Sequence, residues 1–529
     1  MLYEARIVVP EAAEAAASAP AYVASKNRAF VAIVSTAVLV AIFIRFWAIG
    51  ERALWLDEGY SAWFSELSWT RLWFETPRYE PHPPVYYSML KLWRTFTGDD
   101  AAALRSLSAI AGVATVPVIA LAARSLGRIT GASGPMMLIA LAGGLAALSP
   151  RLVVIAQDAR PYAILLLAYG LSLACWLRLT LCFRSSHPDG RFLDWLGLGL
   201  GTALTLWLHG LGILHAAALL GALVLTGVHG ATRRRWWRMI VTVGLVAFTY
   251  LPCLFMILDR RGDWSSGWVP WDPIRFPGAL LDLYGFHEQT EVWTPIAARI
   301  VFALLIALGL RRLWLGGNRP VALGLALLVL LPPLAAALLS QLGNPVFVPR
   351  TLVAVLAPAY LVAALGLAQM PRRPAILVGG TAALILVLNL AETLARPSLE
   401  AWDEVAATLK HEMAPGDIVW VYPNDTVFPV ERALGTGAPP QGIPAPFPAL
   451  EAAGSRPAGS PAVVGIDRAS ARQWAEAHAP VGKATVWLVI RNPDLFDPGG
   501  EVARGLASGR RSGRLHQWRQ IRLQPLYSK

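Results

Sequence analysis

Eleven apolar stretches recur along the chain, at 29–49, 101–123, 134–150, 161–182, 193–208, 211–228, 237–258, 295–311, 320–340, 350–369 and 374–394, parted by short polar joints. A helix needs roughly 20 apolar residues to cross a hydrocarbon core, and lipid offers backbone groups no partner outside the helix itself. The pattern predicts an α-helical polytopic membrane protein with about 11 transmembrane helices. The first stretch follows Lys26 and Arg28 and leads into an aromatic, charged segment, not a small-residue cleavage site. It predicts an uncleaved span.

Beyond residue 395 the period changes. Trp402 to Met413 has helical spacing, and Asp417 to Tyr422 reads as a strand after the Pro415-Gly416 turn. Further strands are predicted at Pro461–Ile466, Thr485–Ile490 and Trp518–Leu523, with helices near 468–478 and 500–508 and a long Pro/Gly/Ala-rich loop over about 433–460. These describe a small C-terminal soluble α/β domain. The division expected is a mobile cytoplasmic tail over 1–28, a membrane domain over 29–395 with a first outer loop at 50–100, and an extracytoplasmic α/β domain over 396–529.

Composition supports the membrane reading. The chain is 55% hydrophobic and 15% charged over 529 residues, whereas a soluble domain carries about a quarter charged residues. A net charge of +12 is compatible with nucleic-acid binding, but much of it sits in Arg124/Arg128, Arg178/Arg184/Arg191, Arg233-Arg234-Arg235/Arg238, Arg311/Arg312/Arg319 and Arg372/Arg373, all flanking apolar stretches. Threading the spans from a cytoplasmic N-terminus puts every one of these clusters on the cytoplasmic side. No nucleic-acid partner is expected. The same threading turns 50–100, 151–160, the 208–211 turn, 259–294, 341–349 and all after 395 outward from an inner (plasma) membrane. Cys175, Cys182 and Cys253 lie in or beside apolar stretches, with no metal spacing.

The outward segments hold the candidate chemistry. Leu54-Trp55-Leu56-Asp57-Glu58-Gly59-Tyr60 places two carboxylates beside a span, where desolvation makes acids costly. Asp57 could act as a general base on an acceptor hydroxyl, or either acid could cap a juxtamembrane helix. Pro81-His82-Pro83-Pro84-Val85-Tyr86-Tyr87, with Lys91 after it, could hold His82 at a stiff bend facing a phosphate, or form an interfacial aromatic belt. Ser149-Pro150 and Gln157-Asp158-Ala159-Arg160-Pro161-Tyr162 offer Arg160 to a phosphate with Asp158 to orient it, or an Asp-Arg pair that satisfies itself. Arg350, His209 and Arg45 could join the pocket or could snorkel. In 259–294, Trp264, Trp268, Trp271, Tyr284 and Trp293 with Asp259, Asp263 and Asp272 could stack on sugar or form an interfacial belt. A divalent cation (Mg or Mn) could bridge Asp57, Asp158 and a phosphate, or Arg and His could supply that charge instead.

Taken together, Arg45…Leu54-Trp55-Leu56-Asp57-Glu58, His82-Pro83-Pro84-Val85-Tyr86-Tyr87, Arg105-Ser106-Leu107-Ser108 and Ser149-Pro150…Gln157-Asp158-Ala159-Arg160-Pro161-Tyr162 resemble the C-type glycosyltransferases. Within them the likeness is to bacterial relatives of the protein O-mannosyltransferases (glycosyltransferase family 39) and to the lipid A aminoarabinose transferases. It covers about the first 180 residues. The resemblance implies an inverting glycosyltransferase that takes a sugar from an undecaprenyl- or decaprenyl-phosphate type donor and passes it to an envelope lipid or glycan on the outer face. It implies Asp57 as base, and His82, Arg160 and Arg350 or Lys91 on the donor phosphate. The site residues expected are Asp57, Glu58 and Asp158 for catalysis, and His82, Tyr86, Tyr87, Lys91, Gln157, Arg160, Tyr162 and Arg350 for the donor. Segment 259–294 is too short for the folded late loop of eukaryotic-type mannosyltransferases, and His82 stands where the aminoarabinose enzymes often carry Lys. Alternatives are a transporter or flippase of lipid-linked sugars, a non-catalytic envelope scaffold that binds carrier lipid, and a ligase or polymerase of longer lipid-linked glycans.

Overall fold

The computed structural model describes all residues except 1–10, 133, 186, 259–270, 285–292, 344, 436–438, 457–459 and 481, with backbone alone at 11–24, 257 and 293–295. Each of the eleven apolar stretches lies in a helical segment. Among the described residues seven helices are long and apolar enough to cross a membrane, or eight if one bent pair counts as a span. Three apolar stretches lie outside that count. Phe192–Leu208 and Gly212–Gly227 are short, and Trp293–Leu315, a 23-residue helix, begins in residues only partly described. The protein is a multi-pass membrane protein, mostly helical, with a small C-terminal sheet.

The first helix starts at Glu11, well inside the segment expected to be a mobile tail, and runs unbroken to Phe46. Alanine has the lowest cost of entering a helix, and residues 11–24 are rich in it. Lipid-facing and inward-facing helices differ as expected of a bundle in a bilayer. Leu39, Phe43, Phe248, Phe255 and Leu377 point outward, whereas almost all of Leu356–Ala368 is buried. That central helix meets Trp293–Leu315 at very close range. A Cβ added to Gly309 would fall 2.1 Å from the Val362 carbonyl oxygen, and one on Gly366 would fall 2.3 Å from that of Leu305. Two glycines, one on each helix, let the backbones touch, which is how helices associate in lipid where no hydrophobic force drives them together.

Two irregular segments bring side chains to one place. Pro135–Leu148 and Pro150–Ala156 meet at 52°, because Pro150 lacks the N–H and clashes with the preceding turn. Ser149 Oγ caps the second piece at Leu152 N and pairs with Tyr360 Oη at 2.6 Å. The bend delivers 157–162 to the foot of the first loop. The second is the tight 3-10 turn Pro349–Val355, which carries Arg350 into the start of the central helix.

The C-terminal part is a mixed sheet with strands β1 (Ile418–Tyr422), β2 (Gln441–Gly442), β3 (Val486–Arg491), β4 (Arg510–Ser512), β5 (His516–Trp518) and β6 (Ile521–Ser528). The order is β2-β1-β3-β6-β4, with β5 also on β6. β1 is parallel to β2 and β3, and β6 is antiparallel to β3, β4 and β5. Side chains alternate across a strand, so Trp420, Tyr422, Leu488 and Ile490 share one core with Ala471, Val502 and Leu506. Val419, Val421, Trp487 and Val489 share the other with Trp402, Val405 and Leu409. The strand expected at Pro461–Ile466 is instead a turn at 461–462 and an irregular stretch that, among the described residues, makes one bridge, Ser455 to Gly465. The one expected over Trp518–Leu523 is split by a two-residue hairpin at Arg519-Gln520, where Arg519 takes φ 43°. A period-2 run cannot reveal where the chain reverses.

Candidate active site

Glu58 and Arg105 anchor the first loop. Helix Leu56–Glu66 starts with Trp55 as N-cap, and the Glu58 carboxylate reaches back to accept from Trp55 N at 3.3 Å. The same carboxylate receives both prongs of Arg105, at 2.7 and 2.6 Å, and the N–H of Ala159 at 2.9 Å. Arg105 also donates to the carbonyls of Ile49, Arg52 and Ala53. One buried fork therefore fixes the first loop, the second span and the 157–162 loop to each other. Glu58 is fully buried and its lone pairs are engaged, so its place in the structure is that of a clamp.

One residue earlier, Asp57 points the other way. Its carboxylate is 21% exposed, with Arg350 Nη2 at 3.2 Å and Arg160 Nη2 at 4.0 Å from Oδ2. Burial pushes this carboxyl up, but Arg160 and Arg350, with His82 and Arg491 beyond, more than offset it and hold it below the usual carboxylate range. Arg160 is held in turn: its backbone carbonyl accepts from Ser108 Oγ, and its Nη1 donates to the Asp57 carbonyl at 3.1 Å. Among the described residues the buried Arg160 Nε has no hydrogen-bond partner. Arg350 lies over the Trp55 ring, 5.3 Å from its centroid.

Around this pair stand His82, Glu80, Tyr87, Tyr162 and His209. The Glu80 carboxylate accepts from His82 Nδ1 and N and from Tyr87 Oη. Burial lowers the His82 ring's pKa and the paired Glu80 only partly restores it. His209 packs edge-on to His82 at 4.9 Å, near Tyr162 at 6.0 Å, and burial holds its pKa well below the ordinary value. Tyr86 and Tyr87 are wholly buried, Tyr87 against Phe64 at 4.8 Å.

Other expected site residues are placed elsewhere. The Lys91 amine donates to the carbonyls of Ser65 and Leu67 at the end of the Asp57 helix, where a cation satisfies orphan acceptors. It is not brought to Asp57. Gln157 donates to the carbonyls of Ile44, Arg45 and Trp47 and accepts from Arg52, closing the first helix. Arg45 does the same for the bent pair, donating to Ala146 and Ala147. Of the aromatic segment, Asp259, Asp263, Trp264, Trp268 and the Trp293 side chain lie outside the described residues. Trp271 donates to Gln341 and Tyr284 to the Val329 carbonyl.

Asp158 is half-buried in a cleft lined by Arg52, Trp55, Arg105 and Arg396, apart from the Asp57 group. Burial, then Glu58, pushes its carboxyl up to about 6 against the neighbouring arginines. A raised folded-state value means that the fold disfavours the ionised form. Its contribution is therefore full below the ordinary value of 3.8 and is lost as pH rises through about 6. The difference in melting temperature between wild type and Asp158→Asn, measured by thermal scanning in detergent, is expected to move in the variant's favour across that window. A difference that stays constant from pH 4 to pH 7 would contradict this placement.

The donor set does not suit a divalent cation bridging Asp57 and Asp158. The two carboxylates face different arginine groups, and a cation at Asp57 would sit against Arg160 and Arg350. Among the described residues no group of three or more His, Cys, Asp or Glu is arranged to hold a metal. What converges here are guanidinium donors, and these fit a phosphate.

The chain superposes on ArnT from Cupriavidus metallidurans, solved with undecaprenyl phosphate, at TM-score 0.56 and 14% identity, over 96% of this chain and 98% of that one. The apo state of the same protein gives 0.57 and 12%, over 94% and 98%. The archaeal oligosaccharyltransferase AglB from Archaeoglobus fulgidus, in complex with an inhibitory peptide and a dolichol-phosphate, gives 0.56 and 12%, over 92% and 73%. The chain has the C-type glycosyltransferase fold. At such identities the likeness is one of fold, and it agrees with the motifs of the first 180 residues. No family model matches the sequence, and no curated protein matches it.

In this C-type fold the C-terminal sheet closes over the first loop, which the sequence did not reveal. Glu400 Oε2 accepts from Leu56 N at 2.8 Å, Asp403 from Ala53 N at 3.1 Å, and Asp425 from Tyr60 Oη at 3.0 Å. Arg432 pairs with Glu66. Phe428 and Phe447 pack on Tyr60 and Trp63 at 5.2–5.3 Å and on each other at 5.1 Å. Glu80 had a weak local signal, an acid two residues before His82 in a proline-rich bend. Glu400 and Asp425 had none, since each sits hundreds of residues from its partner in the first loop, and Arg491 had none because its partners are those two acids.

Proposed function

We propose that the protein is an inverting glycosyltransferase that moves a sugar from a polyprenyl-phosphate carrier, of undecaprenyl- or decaprenyl-phosphate type, to an envelope lipid or glycan. The observation that carries this reading is the convergence of Arg160 and Arg350 on the single carboxylate of Asp57 at the membrane helix mouths. A displacement at the anomeric carbon needs a base for the incoming hydroxyl and cationic donors for the departing phosphate, side by side. Asp57 is the base. It takes the acceptor proton as the oxygen bonds to the anomeric carbon and the carbon–oxygen bond to phosphate breaks. Arg160 and Arg350 receive the negative charge that develops on the phosphate, with His82 and Tyr162 lining the same space. The likeness to structures that hold undecaprenyl phosphate and dolichol-phosphate supports a lipid-phosphate donor. The arginine clusters flanking the spans support an outward site in the inner membrane.

A transporter of lipid-linked sugars shares the outline of many spans, but the ionisable groups here gather beneath a folded cover at one end of the helices. That favours interfacial chemistry. The test of the donor assignment is titration of the purified protein with undecaprenyl phosphate alone. A charge-assisted hydrogen bond from a buried guanidinium contributes about 1.5–3 kcal/mol, so Arg160→Ala is expected to weaken binding roughly 10- to 100-fold or more. Unchanged affinity would remove Arg160 from the phosphate.

A further inference from the structure

Arg491 ends β3 deep inside the C-terminal part, 6% exposed, and lies between two buried carboxylates. Its Nη2 is 3.2 Å from Asp425 Oδ2, and its Nη1 is 3.8 Å from Glu400 Oε1. Each carboxylate has a second task. Glu400 Oε2 accepts from Leu56 N, the first N–H of the helix that carries Asp57, and from Trp402 Nε1 at 2.6 Å. Asp425 Oδ2 accepts from Tyr60 Oη, one turn further along the same helix. The two grips fall on either side of Asp57. The C-terminal part thus holds this short helix at residues 56 and 60 through two acids, with one guanidinium between them.

From this geometry we propose that Arg491 is a positioning residue for the transfer reaction, setting the pose of Asp57 through Glu400 and Asp425, so that the C-terminal domain completes the active site. The inference rests on Asp57 being the base. Two buried carboxylates close together cannot both stay ionised without a cation. Without Arg491 one of them takes a proton or they separate, and either change alters a grip on the Asp57 helix. Arg491 also lies close enough to Asp57 to favour its ionised form. Arg160 and Arg350 are not part of this group, so phosphate binding is untouched.

The experiment uses the full chain in detergent. The pH dependence of Asp57 modification by a carbodiimide, which attacks protonated carboxyls, is read by peptide mass spectrometry. Affinity is measured with undecaprenyl phosphate as probe, and product formation is read from envelope glycolipids of cells making each variant. Arg491→Gln is expected to cut product formation about tenfold or more, to raise the Asp57 modification midpoint, and to leave undecaprenyl phosphate affinity within about twofold. Adding Asp425→Asn to Arg491→Gln is expected to recover part of the loss, because one buried charge is then removed. Arg491→Lys, whose point charge reaches one acid but not both, should fall between, and it serves where the Gln variant does not fold. Wild-type product and an unmoved midpoint in Arg491→Gln or Arg491→Lys would overturn the proposal, as would an equal loss of undecaprenyl phosphate binding. Should Asp57→Asn itself form product normally, the reading of Asp57 as base fails, while the midpoint in the Arg491 variants still reports whether Arg491 sets its pose.

Discussion

Asp57→Asn is expected to lower sugar transfer by roughly 10²–10⁴-fold, the contribution of a positioned general base, while undecaprenyl phosphate still binds. Asparagine keeps the size and one acceptor oxygen but cannot take a proton. Because Arg160 and Arg350 hold the Asp57 carboxyl below the usual range, it is ionised at neutral pH, as the proposed role requires. Removing its charge also frees both guanidinium groups from their present counter-ion, so carrier phosphate affinity should rise or hold, not fall. Transfer measured in proteoliposomes with a polyprenyl-phosphate-linked sugar separates the two effects. Wild-type turnover would sink the assignment, and lost carrier affinity would show that the carboxylate is needed for binding.

The second large effect concerns folding. Arg105→Met is expected to destabilise the protein by about 3–5 kcal/mol, since it leaves the wholly buried Glu58 carboxylate without its cation. The three carbonyls at Ile49, Arg52 and Ala53 lose a donor at the same time. Glu58→Leu added to Arg105→Met should recover much of that loss, because an uncompensated buried charge costs more than an apolar pair. Recovery should stop short of wild type, since Trp55 N and Ala159 N lose their acceptor. Thermal scanning of the two variants in detergent checks this. A melting temperature for Arg105→Met within about one degree of wild type would refute the clamp.

These outcomes separate the adjacent acids of the first loop by task. In a helix, successive side chains point about 100° apart, so Asp57 and Glu58 face different neighbours although they share a sequence motif. Arg105 collects Glu58 and holds the loop, and Arg160 and Arg350 collect Asp57 and leave it partly open to a substrate.

Much of the membrane part was legible from the chain. Apolar runs near the span length predict helices in lipid because a bilayer leaves the backbone no alternative, and all eleven stretches lie in helical segments. The helix over 402–412 and the strands at 418–422 and 486–491 also followed from local period. The gathering of first-loop, 157–162 and Arg350 motifs at one end was legible as topology. The division of labour was not, since Lys91, Gln157 and Arg45 are polar donors in the same segments as Arg160, and only the fold turns them onto backbone carbonyls away from Asp57. Side-chain type and spacing determined that a membrane bundle would bring acids and guanidinium groups together. Only the tertiary structure decided which acid is clamped and which is open, and that a C-terminal sheet region more than 300 residues away closes over it, because those outcomes depend on non-local hydrogen bonds and burial.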